Sequence, residues 1–155
     1  SDLSLVLAET NNEVANPLWH GEMHCLKAFF ELEERPGTDE LLFLSTHEPC
    51  SLCLSAITWA GFDNFFHLFS HEESRDDFAI PHDPRILREV FGLHDGGYKR
   101  SNAYWSCWSV MDEIARLGDV DRASLAGRAA RIARLYRGLS ETYQGTKDAS
   151  AIPLR

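Results

Sequence analysis

Cysteine, proline and basic residues are all scarce in this chain, and each scarcity excludes something. Four cysteines in 155 residues are too few for a disulfide scaffold. Six prolines and ten glycines are too few for a collagen-like or low-complexity chain. No apolar run approaches the roughly 20 residues a membrane helix needs. No stretch near the start has the charged, apolar and small-residue order of a secretory leader. Fifteen Lys and Arg stand against twenty-four Asp and Glu, a formal net charge of −9. Nucleic-acid affinity comes largely from neutralising phosphates, so this balance disfavours a polynucleotide partner. A small neutral or cationic ligand fits it better. The expected protein has no membrane partner and is cytoplasmic, in a compartment that keeps its thiols reduced.

What is present is ordinary for a globular domain. Hydrophobic residues make up 44% and charged residues 25%, enough to bury one core in a single domain over 1–155. Leu3 to Leu7 reads as a strand, broken by Thr10-Asn11-Asn12. A helix is predicted from Trp19 to Glu34, stopped by Arg35-Pro36-Gly37. Leu41 to Leu44 reads as a second strand. A helix opening at Pro49 and closing at Gly61 follows, then a third strand from Asn64 to Ser70. Strands alternating with helices predict a layered α/β domain with a partly parallel sheet. His71 to Pro84 is polar and acidic and reads as a long functional loop. Pro84 to Phe91 reads as a short helix and His94-Asp95-Gly96-Gly97 as a turn. Asn102 to Leu117 and Ala123 to Tyr143 read as the final helices, before a patternless tail from Gly145.

Two short segments carry most of the chemistry. Trp19-His20-Gly21-Glu22 and Glu48-Pro49-Cys50-Ser51-Leu52-Cys53 each fall at a predicted helix start. His20, Cys50 and Cys53 offer one imidazole and two thiolates, a ligand set for zinc. Cys50 and Cys53 are three apart, so a helix puts them on one face. The helix N-terminus favours their negative charge. Three protein ligands leave a fourth position open, the mark of a catalytic site. Glu22 flanks that position as a carboxylate able to carry a proton. An H-x-E with P-C-x-x-C is the signature of zinc deaminases.

On those motifs the chain resembles the cytidine deaminase-like superfamily, within it the nucleobase (guanine deaminase-like) and tRNA-adenosine deaminase branch. The strand and helix order over roughly Leu3 to Ser70 is similar as well. The resemblance implies a three-layer α/β/α fold with a mixed central sheet. It implies one Zn2+ held by His20, Cys50 and Cys53, with Glu22 moving protons. It places the metal-site core at about 1–92 and C-terminal helices and tail at about 93–155. Asp77 to Asp83 is similar to a guanine deaminase loop whose acidic residue helps hold the purine, by position Asp83. Asn12 matches an Asn that family members use to hold the base or sugar. The family's N-terminal helix and first strand are expected to be absent from this chain. Homodimers or higher homo-oligomers are common in the superfamily and are expected here, with the aromatic segment near Trp105 and the tail as candidate contacts.

Other readings of the same residues stand beside this one. Cys50 and Cys53 fit a redox pair, or a structural zinc site closed by Cys25 or His24. His47 either lines the pocket or is a satisfied structural histidine. Glu48 is either a surface residue or a partner of the metal-loop backbone. Cys25 and Cys107 read as small buried hydrophobes. Most of Trp19, Phe78, Tyr104, Trp105 and Trp108 read as core, with one or two free to stack on a flat substrate. Arg128, Arg131, Arg134 and Arg137 read as a solvated helix face. The expected activity is hydrolytic deamination of a free nucleobase or similar aminated heterocycle, guanine-like foremost. A tRNA adenosine deaminase, a cytidine or deoxycytidylate deaminase, and a noncatalytic zinc-stabilised module are the alternatives.

Overall fold

The computed structural model describes residues 3–93 and 97–147. Its order is α1 (Gly21–Phe30), β1 (Leu44–His47), α2 (Ser51–Trp59), β2 (Asn64–Phe69), α3 (His71–Phe78), α4 (His82–Phe91), β3 (Ser106–Ser109), α5 (Val110–Ala115) and α6 (Asp119–Lys147). The chain is therefore α/β. The three strands form one sheet in the order β1-β2-β3, parallel at both pairings. Leu44 pairs with Phe66 and His47 with Phe69, while Asn64 pairs with Ser106 and His67 with Ser109. Parallel neighbours need a crossover, and α2 supplies the one between β1 and β2.

Two apolar clusters hold these elements together. In the first, Leu26 of α1 and Leu54 and Ile57 of α2 meet Phe43, Phe62, Phe65, Trp105 and Cys107. Ile57 and Phe65 are wholly buried, and each such side chain stabilises by about 1.5–3 kcal/mol. Trp105 stands edge-on to Phe65 at 4.9 Å and donates its indole N–H to Thr58 Oγ1 at 2.8 Å. In the second, Leu68, Phe69, Phe78 and Ala129 tie the end of β2 and α3 to α6. No helix among the described residues is long and apolar enough to cross a membrane.

Several elements differ from those the sequence predicts. Leu3 to Leu7 is not a strand. A strand exists through its ladder, and no described strand lies beside this segment, which leaves Leu3 and Leu5 exposed. The helix expected over Trp19 to Glu34 closes at Phe30, where Leu32 N–H bonds back to Phe29 O in a tighter turn. The strand expected over Leu41 to Leu44 lies three residues later. Ahead of it the Asn64 side chain takes over the pairing, donating to Leu41 O and accepting from Phe43 N–H.

The supposed loop from His71 to Pro84 is mostly helix. Ser70 Oγ accepts from Glu73 N–H and Glu73 Oε2 accepts from Ser70 N–H, a capping box that opens α3. His71, Ser74 and Phe78 form its buried face. Ala79, in the left-handed region at φ 55°, ends it. α4 begins two residues before Pro84, which its first turn tolerates. The helix expected over Asn102 to Leu117 is instead a strand followed by the short α5, since pairing with β2 decides the matter for Ser106 to Ser109. Trp105 is buried in the core, while Tyr104 and Trp108 of the same segment are exposed. α6 covers the predicted Ala123 to Tyr143, and Arg128, Arg131, Arg134 and Arg137 are exposed on it, as a solvated face requires. The sheet of the described residues is parallel where a mixed one was expected. The turn predicted at His94 to Gly97 falls mostly outside the described residues, as does the tail beyond residue 147.

Candidate metal centre

Two helix starts meet at one point. His20 is the N-cap residue of α1 and Cys50 the N-cap residue of α2. Pro49 precedes the cap and restricts the chain as it leaves β1. Cys50 Sγ faces the Cys53 N–H at 3.5 Å, so the sulfur caps its own helix. Cys53, one turn on, presents its sulfur on the same face. His20 reaches this point from a loop tied by Asn12 N–H to Trp19 O at 2.8 Å and Trp19 N–H to Asn16 O at 2.9 Å.

The three donor atoms form a small triangle. Cys50 Sγ lies 3.6 Å from Cys53 Sγ and 3.4 Å from His20 Nδ1, and Cys53 Sγ lies 3.8 Å from His20 Nδ1. All three lie within 4.8 Å of one another, near enough to hold one metal ion. Among the described residues no other His, Cys, Asp or Glu joins them within that distance. Cys25 and His24 are therefore not a fourth ligand. His24 instead faces Thr10 O at 2.9 Å and stacks on Trp19. Both cysteines are buried and His20 is half-buried.

The electrostatics fit a group that holds protons until a cation replaces them. A hydrogen bond from Cys53, with help from His20, pulls the Cys50 thiol down to about 4 despite burial. Cys53, donating to that sulfur and buried beside Glu22, is pushed far up. Its bond to Cys50 raises His20 to about 9, against the opposing effect of burial. One thiolate, one thiol and one imidazolium are thus the resting set.

Glu22 sits at the edge of the triangle. Cys53 Sγ is 3.3 Å from its Oε2, and Ser45 Oγ on β1 is 2.6 Å from its Oε1. Ser45 was not singled out by sequence reasoning, because a serine in an apolar strand carries no signal until the strand is placed against α1. Asp83, second residue of α4, feels the same cluster. Burial first, and then the negative Cys50, push its carboxyl up to about 6.

The other expected residues stand apart. His47 packs among Phe69, Phe78 and Tyr136, with Nδ1 3.0 Å from Ser74 Oγ. Burial lowers it to about 4, so the ring is neutral. Asn12 takes part through its backbone, holding the loop before His20. Glu48 is buried, and its partners include the backbone N–H of His71. An apolar cleft between α1 and α2, with Trp59 almost fully exposed on its rim, is lined by none of the three donors. Comparison with protein-family models, with curated proteins and with solved structures finds no match.

Proposed function

We propose that this protein is a zinc-dependent hydrolytic deaminase of a free nucleobase or related aminated heterocycle, guanine-like foremost. One observation carries the reading. A carboxylate, Glu22, flanks a three-donor His/Cys/Cys triangle that no fourth ligand among the described residues closes. A structural site is normally closed by four ligands.

The donor set fits zinc in size as well as in chemistry. With Zn–S of about 2.3 Å and Zn–N of about 2.0 Å, a tetrahedral site has S···S and S···N edges of about 3.8 and 3.5 Å. The separations here are 3.6 Å for the sulfur pair and 3.4 and 3.8 Å from sulfur to nitrogen. His20, Cys50 and Cys53 would hold the ion, and zinc supplies a Lewis acid that makes water a nucleophile at neutral pH.

The remaining work falls to the chain. Glu22 takes one proton from the attacking water and gives it to the ring nitrogen, then takes the hydroxyl proton of the adduct and gives it to the departing amine. Water adds at the amidine-like carbon, the C–N bond breaks, and ammonia leaves. Ser45 supports the shuttle. Its Oγ lies 2.6 Å from both Glu22 Oε1 and the His47 carbonyl, yet has one hydrogen to give. Given to Oε1, that hydrogen holds the carboxyl with Oε2 toward the metal group, where Oε2 carries the proton. Asp83 and Asn12 are assigned to orient the ring. Asp83, partly desolvated near the cluster, suits a carboxyl that meets ring N–H groups.

The same reading carries a three-layer arrangement of the sheet and its helices, and a homo-oligomer. The exposed Trp59 and Phe30 support the latter as apolar surface in want of cover. The net charge of −9 favours a small base over tRNA. The test is ammonia release by zinc-loaded protein across bases, nucleosides, nucleotides and a tRNA. Turnover of a free base supports the reading, and turnover of tRNA alone replaces the substrate class.

A further inference from the structure

Behind the thiolate loop lies a second group of titratable side chains that the deamination chemistry does not use. Glu48, two residues before Cys50, is 5% exposed. A carboxylate this deep is costly unless its oxygens are fully partnered, and they are. Oε1 accepts from Tyr98 Oη at 2.5 Å and from Arg100 Nη2 at 3.0 Å. Oε2 accepts from the His71 backbone N–H at 2.9 Å. The Glu48 N–H donates to Phe69 O at 2.8 Å, fastening the end of β1 to β2.

The next residue is held from the same side. His71 Nε2 lies 3.2 Å from Pro49 O. A carbonyl only accepts, so Nε2 carries the hydrogen. Arg100 donates from Nη1 to His67 Nε2 at 3.0 Å, which fixes Arg100 on a second buried residue while it serves Glu48. The backbone on either side of Pro49 is thus tied down: the Glu48 N–H to β2, the Pro49 carbonyl to the His71 ring. Pro49 itself has little freedom in φ. Cys50 leaves this restrained peptide on one side and enters α2 on the other. Its sulfur has few directions left to take.

We infer that Glu48 is a positioning residue of the metal centre: with Tyr98, Arg100 and His71 it holds the Pro49 peptide so that Cys50 Sγ stands ready beside Cys53 and His20. The inference rests on the metal reading of His20, Cys50 and Cys53 and not on the identity of any substrate. Groups behind the ligands typically change metal affinity about 10- to 100-fold when they are removed.

The test is zinc affinity, by competition between apo-protein and a chromophoric chelator, for wild type, Glu48→Gln and Tyr98→Phe. The Co2+-loaded absorption spectrum is the second readout. Glu48→Gln is expected to bind zinc about 10- to 100-fold more weakly, with altered cobalt bands, while its circular dichroism stays that of a folded protein. Tyr98→Phe removes one donor to the carboxylate and is expected to fall in between. It carries the test alone if Glu48→Gln does not fold. Variants that unfold more easily but keep wild-type zinc affinity and cobalt bands overturn the inference, because Glu48 then serves only the fold. Wild-type protein that binds no zinc overturns the metal reading and this inference with it.

Discussion

Ser45 Oγ stands 2.6 Å from Glu22 Oε1, on the far side of the carboxyl from the Cys53 sulfur. One oxygen of Glu22 is held by the sheet and the other faces the metal group. That division is what a proton carrier needs, since the reacting oxygen is aimed by the one that does not react. Replacing Ser45 with Ala frees the carboxyl without touching a metal donor. Turnover of the proposed substrate is expected to fall about tenfold, a fraction of the full effect of general acid–base catalysis, with zinc content unchanged. A Ser45→Ala protein with wild-type kcat contradicts the role.

Zinc binding is expected to release about two protons per site at pH 7. His20, raised to about 9 by its bond to Cys50, and Cys53, pushed up by its bond to the Cys50 sulfur, both carry a proton in the metal-free protein. Cys50, pulled down to about 4, carries none. Apparent zinc affinity therefore weakens as pH falls below 9. Calorimetry in buffers of different ionisation enthalpy counts the protons directly, and release of none shows that the resting set is misassigned.

His47 makes a separate, acid-side prediction. Burial lowers its pKa from 6.5 to about 4, so the neutral ring belongs to the fold. Its contribution is complete above pH 6.5 and is lost as pH falls towards 4, while the unfolded chain gains a proton that the folded one refuses. The loss amounts to about 3 kcal/mol. His47→Asn keeps a polar atom near Ser74 and cannot titrate there. Its unfolding free energy, followed in urea from pH 7 to 4, is expected to have a shallower slope than wild type. Parallel slopes contradict a neutral buried His47.

Ser70→Ala tests the start of α3. The hydroxyl satisfies the Glu73 N–H and the reciprocal bond from Ser70 N–H depends on the same geometry. Loss of about 1 kcal/mol is expected in urea unfolding. A change near zero means that packing of His71, Ser74 and Phe78 alone sets the helix.

How much of this was legible follows the range of the interactions. His20, Cys50 and Cys53 could be grouped from short motifs, because each motif is local and sits at a helix start. The capping box of Ser70 and Glu73 was equally local, but the acidic run around it reads as solvated loop. Ser106 to Ser109 is a strand only because β2 lies beside it, which no window of sequence contains. Leu3 to Leu7 has strand composition and lacks the neighbour. Glu48 gave no sign of its partners, since Tyr98 and Arg100 come fifty and more residues later.

The central claim is that Glu22 moves protons beside a bound metal. The most direct measurement compares wild type and Glu22→Gln, each loaded with zinc, for metal content and for ammonia released from guanine and related bases. The account predicts one zinc per chain in both proteins, and ammonia from the wild type alone. Equal ammonia release from the two proteins, or one zinc per chain with no release from any base, nucleoside or tRNA, contradicts it.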